Sequence, residues 1–429
     1  MSERNRNWFW NRREFLSVGL VGTIACQAPR AGGTPPPSGS NPSDIEASIK
    51  DNIYTRLLRV RPHLPAHEHM SRLGGSRMPP EVIEAMAEAN NYFVDMDELT
   101  EAAGKRVAEV MGAEAALVTA GAFSGMILGA AACLTGTDPE KMEALPHPTW
   151  PKRECLIQSA HRFDYDRAYR SAGMTIVEAK DREELVGKIS DRTAMIAVLV
   201  AAEKQLIFGP PKSQIRARPP SPETLTPEEL IDIGKNAGVP VLVDTASDIP
   251  PASHLTRFVE AGADLVVISG GKALRGPQST GMLAGRRDLI EAARLNAAPN
   301  GNIGRGMKIG KEEIVGMIVA LNRFVEQNYQ KVIEGWNQKA KWLAEQLQGI
   351  AGVKAVYAEN TMGYGDVDLR WDQDVIPLSE EEVKEKLMVG EPRLAYDGTT
   401  VRVRCLRDGE EVLVARVLRE FFERESAGS

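Results

Sequence analysis

In the stretch DLVVISGGKALRGPQSTGMLAG, residues 264–285, a lysine follows an apolar run that reads as a buried strand. The apolar run ends at Ser269, and two glycines separate it from Lys272. Burial disfavours the ammonium form, so it lowers the pKa of a lysine and gives the nucleophilic amine that Schiff-base chemistry needs. The same stretch also fits a surface-loop lysine between two strands, and the local sequence leaves that alternative open.

Three other motifs follow apolar runs in the same way. The turn TAGAFSG at 119–125 precedes a helix whose first N–H groups suit an anion, although a tight strand-to-helix turn reads the same. His161 follows ECLIQSA and can stack on a flat ring or cap the strand end. Asp244 ends VPVLVD and can keep a heterocycle nitrogen protonated or cap a helix. Open α/β sheets bind ligands at the carboxyl ends of their strands, so all of these motifs lie where a ligand is expected.

The elements that would position these residues alternate between apolar runs and helical patterns, which predicts a doubly wound α/β domain. We place this large domain at 86–300, an N-terminal segment at 45–85 and a smaller α+β C-terminal domain at 301–429. Residues 311–350 read as one long helix, and residues 44–60 read as an amphipathic helix. The composition, 43% hydrophobic and 26% charged over 429 residues, is that of a globular chain and argues against disorder.

The order of the four motifs is that of fold-type-I pyridoxal-phosphate (PLP) enzymes. Four stretches make the resemblance more specific, namely RLGGSRMPPEVIEAM, AALVTAGAFSGMILGAAACLTGTDPEKMEALP, VPVLVDTASDIPP and SGGKALRGPQSTGMLAGRRDLI. They resemble the family of bacterial selenocysteine synthase (L-seryl-tRNA(Sec) selenium transferase), in particular its branch with D-glucosaminate-6-phosphate ammonia-lyase. The resemblance implies a fold-type-I PLP transferase with a mostly parallel, seven-stranded, doubly wound sheet, and PLP as the cofactor.

The resemblance also implies roles for individual residues. Lys272 would carry the cofactor as an internal aldimine, Asp244 would face the pyridine nitrogen, and His161 would stack on the ring. The residues implied as phosphate contacts are Ala120, Gly121, Ala122 and Ser269.

A basic, glycine-rich stretch, NIGRGMKIGKEE, lies at 301–312. In this family such a region reaches a phosphate or the active site of the neighbouring subunit, which implies these roles for Arg305 and Lys308. A phosphate in a largely acidic protein needs local cations. We therefore expect a symmetric homodimer with this stretch near the partner's cofactor phosphate.

The substrate side departs from the family pattern at LPAHEHMSRLGGS, where the branch usually carries an Asn-Ala-x-Gly-type stretch. The departure puts His67, Glu68 and His69 near the expected substrate, with His67 as a candidate contact. A metal held by His63, His67 and His69 is conceivable, but polar loop residues often line a pocket without one, and we expect no metal.

Two further segments bear on the substrate. Arg402 and Arg404 in TTVRVRCLR are two residues apart, hence on one face of a strand, and one of them could clamp a substrate carboxylate. Two solvent-facing arginines on a C-terminal sheet are the alternative. The Pro-rich segment at 207–226 reads as an active-site lid or a disordered insert.

The predicted activity is that of a PLP-dependent lyase acting on a small amino acid or amino-sugar acid. It would remove the Cα proton and eliminate a group from Cβ. The same scaffold leaves open a selenocysteine-synthase-like transferase, a racemase, an aldolase, an aminotransferase or a binding protein without catalysis. The net charge of −7 argues against a nucleic-acid partner.

The first residues read as a targeting segment. Residues 1–33, with Arg12-Arg13 ahead of a short apolar run, resemble a twin-arginine export signal, and residues 34–44 read as a flexible linker. We therefore expect export by the twin-arginine machinery to the periplasm or beyond. A lipid anchor at Cys26 is not expected, because TIA before it is a poor lipobox. A chance arginine pair before a frayed helix is the alternative.

Overall fold

The computed structural model describes residues 41–203, 223–360 and 363–427. The strands are β1 (His63–Ala66), β2 (Ala115–Thr119), β3 (Glu154–Gln158), β4 (Thr175–Ala179), β5 (Thr193–Leu199), β6 (Val241–Asp244), β7 (Leu265–Ser269), β8 (Gly281–Gly285), β9 (Val353–Glu359), β10 (Gly365–Trp371), β11 (Arg393–Tyr396) and β12 (Thr400–Val401). The α-helices are α1 (Pro42–Lys50), α2 (Pro80–Ala89), α3 (Met96–Met111), α4 (Gly121–Thr135), α5 (Pro139–Ala144), α6 (Arg167–Ser171), α7 (Arg182–Lys188), α8 (Val200–Glu203), α9 (Pro227–Ala237), α10 (Arg257–Glu260), α11 (Arg287–Asn296), α12 (Lys311–Glu326), α13 (Tyr329–Gln346), α14 (Glu380–Val389) and α15 (Glu410–Ala427).

Seven strands form one sheet in the order β2-β8-β7-β6-β5-β3-β4. Its strands run parallel except β8, which is antiparallel to both β2 and β7. Every residue of β5 is buried, as a parallel strand covered on both faces requires. The predicted mostly parallel, seven-stranded sheet is confirmed, and β8, which follows Lys272, is antiparallel to its neighbours.

Hydrophobic clusters cover both faces of this sheet. One cluster joins the sheet to side chains of α3, α9 and α12, among them Val107, Leu230 and Met317. The other joins it to α4 and α11, through residues such as Met126 and Ile290. Helices on both faces of an open sheet make the doubly wound arrangement that the sequence predicts.

The C-terminal region has a smaller sheet and a core of its own. Strands β9, β10 and β12 are antiparallel neighbours, and α13 and α15 contribute Leu343 and Leu418 to their hydrophobic cluster. The N-terminal segment joins the same cluster, since β1 pairs with β11 in parallel and Leu64 is fully buried there. The residues after β1 are therefore fixed against the C-terminal region.

Two helix predictions are wrong in extent. The predicted helix at 311–350 is two helices, because Asn328 interrupts it and its Oδ1 accepts a hydrogen bond from the Lys331 amide at 3.1 Å. Asparagine favours this N-cap position over a helix interior. The predicted helix at 44–60 ends at Lys50, and a short π-helical turn follows at Tyr54–Leu58.

Several sequence predictions lie outside the described residues. These are the segment 1–33 with Cys26, most of the linker at 34–44 and most of the Pro-rich segment at 207–226. Among the helices that are described, none combines the length and the apolar character needed to cross a membrane.

Candidate active site

Two ionisable side chains, Asp244 and Lys272, line one cleft at an edge of the sheet. Asp244 is the last residue of β6, and Lys272 comes three residues after Ser269, the end of the neighbouring strand β7. Because β6 and β7 are parallel, their carboxyl ends bring both side chains to the same edge. The cleft is partly open to solvent.

Burial shifts the ionisation of the two groups in opposite directions. It raises the pKa of Asp244, while the Ala246 amide, 2.9 Å from Oδ1, and Lys272 act to lower it. It lowers the pKa of Lys272, while Asp244 and Glu68 act to raise it. The lowered lysine pKa that the sequence predicts is therefore confirmed in direction, and the neutral, nucleophilic amine is favoured more than it is in water.

The turn at 119–125 offers backbone N–H groups to an anion. Helix α4 begins at Gly121 directly after β2, and no side chain caps its first turn. Gly281, the first residue of β8, lies so close that a Cβ there would stand 2.5 Å from the Gly121 carbonyl carbon and 2.6 Å from the Ala122 nitrogen. Ser269 pairs with Gly281 in the β7–β8 ladder. The structure thus brings the predicted phosphate contacts of two separate motifs together.

His161 is held by the backbone. Its ring is fully buried, Nδ1 accepts a hydrogen bond from the Leu199 amide at 3.1 Å, and Nε2 then donates to the Leu225 carbonyl at 2.9 Å. Burial lowers the pKa of His161, while the hydrogen bonds to Leu225 and Leu199 act to raise it. Both ring nitrogens are therefore engaged by the backbone, and the sequence-based assignment of His161 as a catalytic residue stays a prediction. His161 is not among the side chains that line the cleft, and ring stacking stays a prediction.

Sequence reasoning missed most of the residues that line the cleft, among them Phe163, Tyr165, Thr245 and Asp248. The two aromatic rings meet edge to face with their centroids 6.1 Å apart. Their signal is the spacing in HRFDYD, which puts aromatic side chains just behind a strand end. Thr245 directly follows Asp244, and its buried Oγ1 has no hydrogen-bond partner in the described ranges.

The histidines after β1 do not converge on one point. His67 lies with Nε2 3.1 Å from Nε2 of His63 and with Nδ1 2.6 Å from the Glu68 carbonyl oxygen. Burial, and then repulsion from His67, lowers the pKa of His63 to about 4, and burial also lowers the pKa of His67. His69 instead places Nδ1 2.9 Å from Glu68 Oε1. In the part of the chain that is described, no three or more His, Cys, Asp or Glu side chains are grouped to hold a metal ion. Substrate contact by His67 stays a prediction.

The prediction that Arg402 and Arg404 lie within a strand is wrong, because both follow β12, which ends at Val401. Both bind Asp366, with Arg402 Nη1 2.9 Å from Oδ2 and Arg404 Nη1 2.7 Å from Oδ1. Arg402 Nε also donates to Asp397 at 2.6 Å, and Arg404 Nη2 donates to Glu68. The solvent-facing alternative is wrong for Arg404, whose side chain is 3% exposed.

The loop before α12 packs closely against the large sheet's helices and exposes its cations. A Cβ at Gly304 would lie 2.5 Å from the Asn296 carbonyl oxygen, so glycine permits the approach. Arg305 and Lys308 are exposed, and neither forms an ion pair with any described residue. Their contact with a phosphate stays a prediction.

Comparison with known proteins agrees with this geometry. A family model described as SelA, L-seryl-tRNA selenium transferase, matches residues 222–358. The chain is 32% identical over 373 residues to the 5'-C-glycyluridine monooxygenase-decarboxylase of a Streptomyces species, covering 84% of this chain and 90% of that protein. The chain belongs to the PLP-dependent SelA-like family.

A second relative and a solved structure share the name of one enzyme. The chain is 28% identical over 390 residues to the D-glucosaminate-6-phosphate ammonia lyase of Salmonella typhimurium, covering 87% of this chain and 98% of that protein. A structure of D-glucosaminate-6-phosphate ammonia-lyase superposes with a TM-score of 0.74 at 26% identity, covering 88% of this chain and all of the other. The fold-type-I prediction is confirmed.

PLP is the cofactor of this SelA-like enzyme, and the cleft fits it. Asp244 can pair with a protonated ring nitrogen, and Lys272 offers an amine for covalent attachment. The unpartnered Thr245 hydroxyl is a donor that a polar ligand would satisfy. The backbone at Gly121, kept accessible by Gly281, suits a phosphate. These residues would hold the group at its nitrogen, its reactive carbon and its phosphate.

Proposed function

We propose that this SelA-like enzyme is a lyase that removes the Cα proton of a small amino acid or amino-sugar acid and eliminates a group from Cβ. The observation that carries the proposal is the placement of Asp244 and Lys272 in one cleft. PLP, when bound, withdraws electrons from the Cα of an amino-acid substrate. The ammonia-lyase name of the Salmonella relative supports this reaction class.

The residues of the cleft divide the work. Asp244 would hold a proton on the ring nitrogen, and its burial makes that contact strong because water does not compete. Lys272, whose neutral amine is favoured by burial, would take the Cα proton. The aromatic walls of Phe163 and Tyr165 would exclude water beside the reacting carbon. Loss of a Cβ substituent and then hydrolysis would yield ammonia and a 2-oxo acid.

A second candidate is decarboxylation, favoured by the 32% identity to the Streptomyces protein named a monooxygenase-decarboxylase. Both candidates need the same Asp244 and Lys272, but they break different bonds at Cα. Elimination breaks the C–H bond, whereas decarboxylation breaks the bond to the carboxylate. The two reactions therefore release different small products.

The experiment is a screen of amino acids and amino-sugar acids with the PLP-loaded protein. Ammonia, 2-oxo acid and carbon dioxide are measured in parallel, with and without oxygen. Equal amounts of ammonia and 2-oxo acid, with no carbon dioxide, are expected. Carbon dioxide release without a 2-oxo acid would favour the second candidate, and product from the Lys272→Ala variant at the wild-type rate would contradict both.

We infer that the protein forms a homodimer around this site. Three consecutive residues after α2, Tyr92, Phe93 and Val94, are exposed, with Phe93 fully so. Lys311 Nζ donates to the Ala89 carbonyl at 3.0 Å and ties this apolar segment to the end of the 301–310 loop. The exposed side chains of Tyr92, Phe93 and Val94 could pack against a second copy of the chain. Arg305 and Lys308 could then contact the phosphate of the cofactor bound to that copy.

We also propose that the protein is exported folded by the twin-arginine route, with the periplasm or the exterior as its destination. The support is the sequence of residues 1–33 alone. Replacing Arg12 and Arg13 by lysine should leave PLP-loaded protein in the cytoplasm, as cell fractionation would detect. A variant that still reaches the periplasm would contradict the proposal.

A further inference from the structure

Arg404, a buried arginine that follows β12, has one half-filled edge. Arg404 Nη1 donates to Asp366 Oδ1 at 2.7 Å, and the Tyr364 ring lies 4.6 Å from Cζ. Its Nη2 donates to Glu68, whereas its Nε is buried and has no hydrogen-bond partner in the described residues. Nε and Nη2 of a guanidinium direct their hydrogens along one shared edge, which matches the two oxygens of a carboxylate. Glu68 thus satisfies one donor of a two-donor edge.

The two carboxylates that hold Arg404 differ in their freedom to move. Asp366 is 5% exposed and also binds Arg402 at 2.9 Å and Asn360 Nδ2 at 3.1 Å. The Glu68 side chain is 38% exposed and belongs to the segment after β1. Removing Asp366 from Arg404 would leave a buried charge unpaired. Glu68 can release Arg404 and still be held at Oε1 by the His69 amide at 3.1 Å and by His69 Nδ1 at 2.9 Å. Glu68 is therefore the partner that can leave.

The segment that carries Glu68 comes close to Lys272. Ser76 Oγ donates to the carbonyl of Gly271, the residue before Lys272, at 2.9 Å, so the segment after β1 is held against the Lys272 turn. In keeping with this placement, Glu68 acts to raise the pKa of Lys272. Lys272 also senses Asp244, which lines the cleft with it. The Glu68–Arg404 pair consequently adjoins the place where a substrate bound next to Lys272 would carry its own carboxylate.

We propose that Glu68 is an internal stand-in for the substrate carboxylate. It occupies Arg404 in the free enzyme, and the incoming carboxylate displaces it and takes both Nε and Nη2. The proposal rests on the proposed function, because it assumes a substrate that carries a carboxylate. The exchange conserves charge around Arg404 and satisfies the unpartnered Nε, while Glu68 can keep its contact with His69 through Oε1.

Selectivity follows from this exchange. A neutral group that pushed Glu68 aside would leave the buried guanidinium with one carboxylate fewer, at a large cost. Only an anion with two oxygens in a plane replaces what Glu68 provides and adds the bond to Nε. The site therefore selects amino acids over amines that lack a carboxylate, and Glu68 weakens binding by competing for the same edge.

The test uses propionate as the probe and propionamide as its neutral counterpart, titrated into the PLP-loaded protein by calorimetry. Glu68→Gln and Glu68→Ala should each bind propionate about tenfold more tightly than wild type, since a charged competitor is removed. Propionamide should bind none of the three. Glu391→Gln is the matched control, because Glu391 also pairs with an arginine, Arg61 at 2.8 Å, but on the surface. It should leave propionate binding unchanged.

The outcomes separate this inference from the proposed function. Propionate binding that is equal to or weaker than wild type in both Glu68 variants, with unfolding temperature and PLP content preserved, overturns the stand-in role. If those variants gain affinity as expected while the amino-acid screen yields no ammonia, the inference holds and the lyase proposal fails. If ammonia is released but Glu68 variants gain nothing, the lyase proposal holds and the inference fails.

Discussion

Asp244 and Lys272 lie in one cleft at the ends of two adjacent parallel strands, and each opposes the pKa shift that burial imposes on the other. A protonated ring nitrogen beside Asp244 would replace Lys272 as the positive charge that stabilises this carboxylate. Lys272 would then be free to lose its proton, because burial continues to disfavour its ammonium form. Cofactor binding would thus increase the nucleophilicity of the residue that attaches it.

Replacing Lys272 by alanine should abolish covalent attachment of PLP while leaving the fold intact. The side chain is not part of the hydrophobic clusters on either face of the sheet, so its loss costs little packing. Borohydride reduction followed by mass spectrometry measures the attachment, with the exposed Lys354 replaced as the control. Cofactor fixed to the Lys272→Ala protein would disprove the assignment.

Replacing Asp244 by asparagine keeps the shape of the side chain but removes its charge. The ring nitrogen would then lose its proton, so turnover should fall at least about 100-fold, with PLP still attached. The exposed Asp232 on α9 gives a matched Asp→Asn control that should turn over normally. Near-normal rates in Asp244→Asn would rule out this partner for the nitrogen.

The sequence predicted the sheet and the positions of Asp244 and Lys272 because both depend on local signals. A run such as that of β5 without polar alternation identifies a parallel strand, and a polar residue at its end marks the ligand edge. The environment of Arg404 could not be predicted in this way. Its partners Glu68 and Asp366 are far away along the chain. The pairing of β1 with β11 and the bond from the Arg402 amide to the Ala66 carbonyl bring Glu68 to it. The environment of His161 could not be predicted either, because its hydrogen-bond partners Leu199 and Leu225 are distant in sequence and meet it only in the folded chain.

Replacing Gly281 by alanine should weaken PLP binding by disturbing the backbone at the start of α4. The new Cβ would stand 2.5 and 2.6 Å from the Gly121–Ala122 peptide, so that peptide must move. We expect a loss of about 1–3 kcal/mol in stability and a matching loss of affinity for the cofactor phosphate. Equilibrium dialysis with PLP measures the affinity.

Gly187 in α7 provides the control for that substitution. It is exposed and has no heavy atom within 4 Å of an added Cβ. Alanine there should stabilise the helix by about 1 kcal/mol and leave PLP affinity unchanged. If Gly281→Ala behaves like Gly187→Ala, the close approach of β8 to the turn has no role in holding the cofactor.

The stability of the protein should fall as the pH rises from 6.5 toward 9, in part because of His69. Burial acts to lower the pKa of His69, but hydrogen bonds to Cys405 and Glu68 raise it from 6.5 to about 9. The folded state therefore holds this proton more tightly than the unfolded chain. Its contribution to the free energy of unfolding is complete below pH 6.5 and is lost as the pH passes about 9.

Urea unfolding across this pH window measures the effect. The slope should flatten in His69→Gln and should be unchanged in His147→Gln, which alters an exposed histidine. Equal slopes in wild type and His69→Gln would mean that the ion pair with Glu68 contributes nothing to the pH dependence.

The shared-site dimer predicts that two inactive chains restore activity together. Lys272→Ala lacks the attachment residue, and the double variant Arg305→Ala/Lys308→Ala lacks the cations proposed to serve the partner's phosphate. In a mixed dimer, one site combines the intact Lys272 of one chain with the intact 301–312 loop of the other. Random pairing on co-expression should therefore restore about a quarter of wild-type activity, since half of the dimers are mixed and each has one complete site.

The matched control co-expresses Lys272→Ala with Asp244→Asn. Both residues line the same cleft of one chain, so every site in that mixture lacks one of them, and activity should stay at the level of the parents. Light scattering should give twice the mass of one chain for all the variants. A monomer, or a first mixture no more active than its parents, would mean that Arg305 and Lys308 do not complete a neighbour's site.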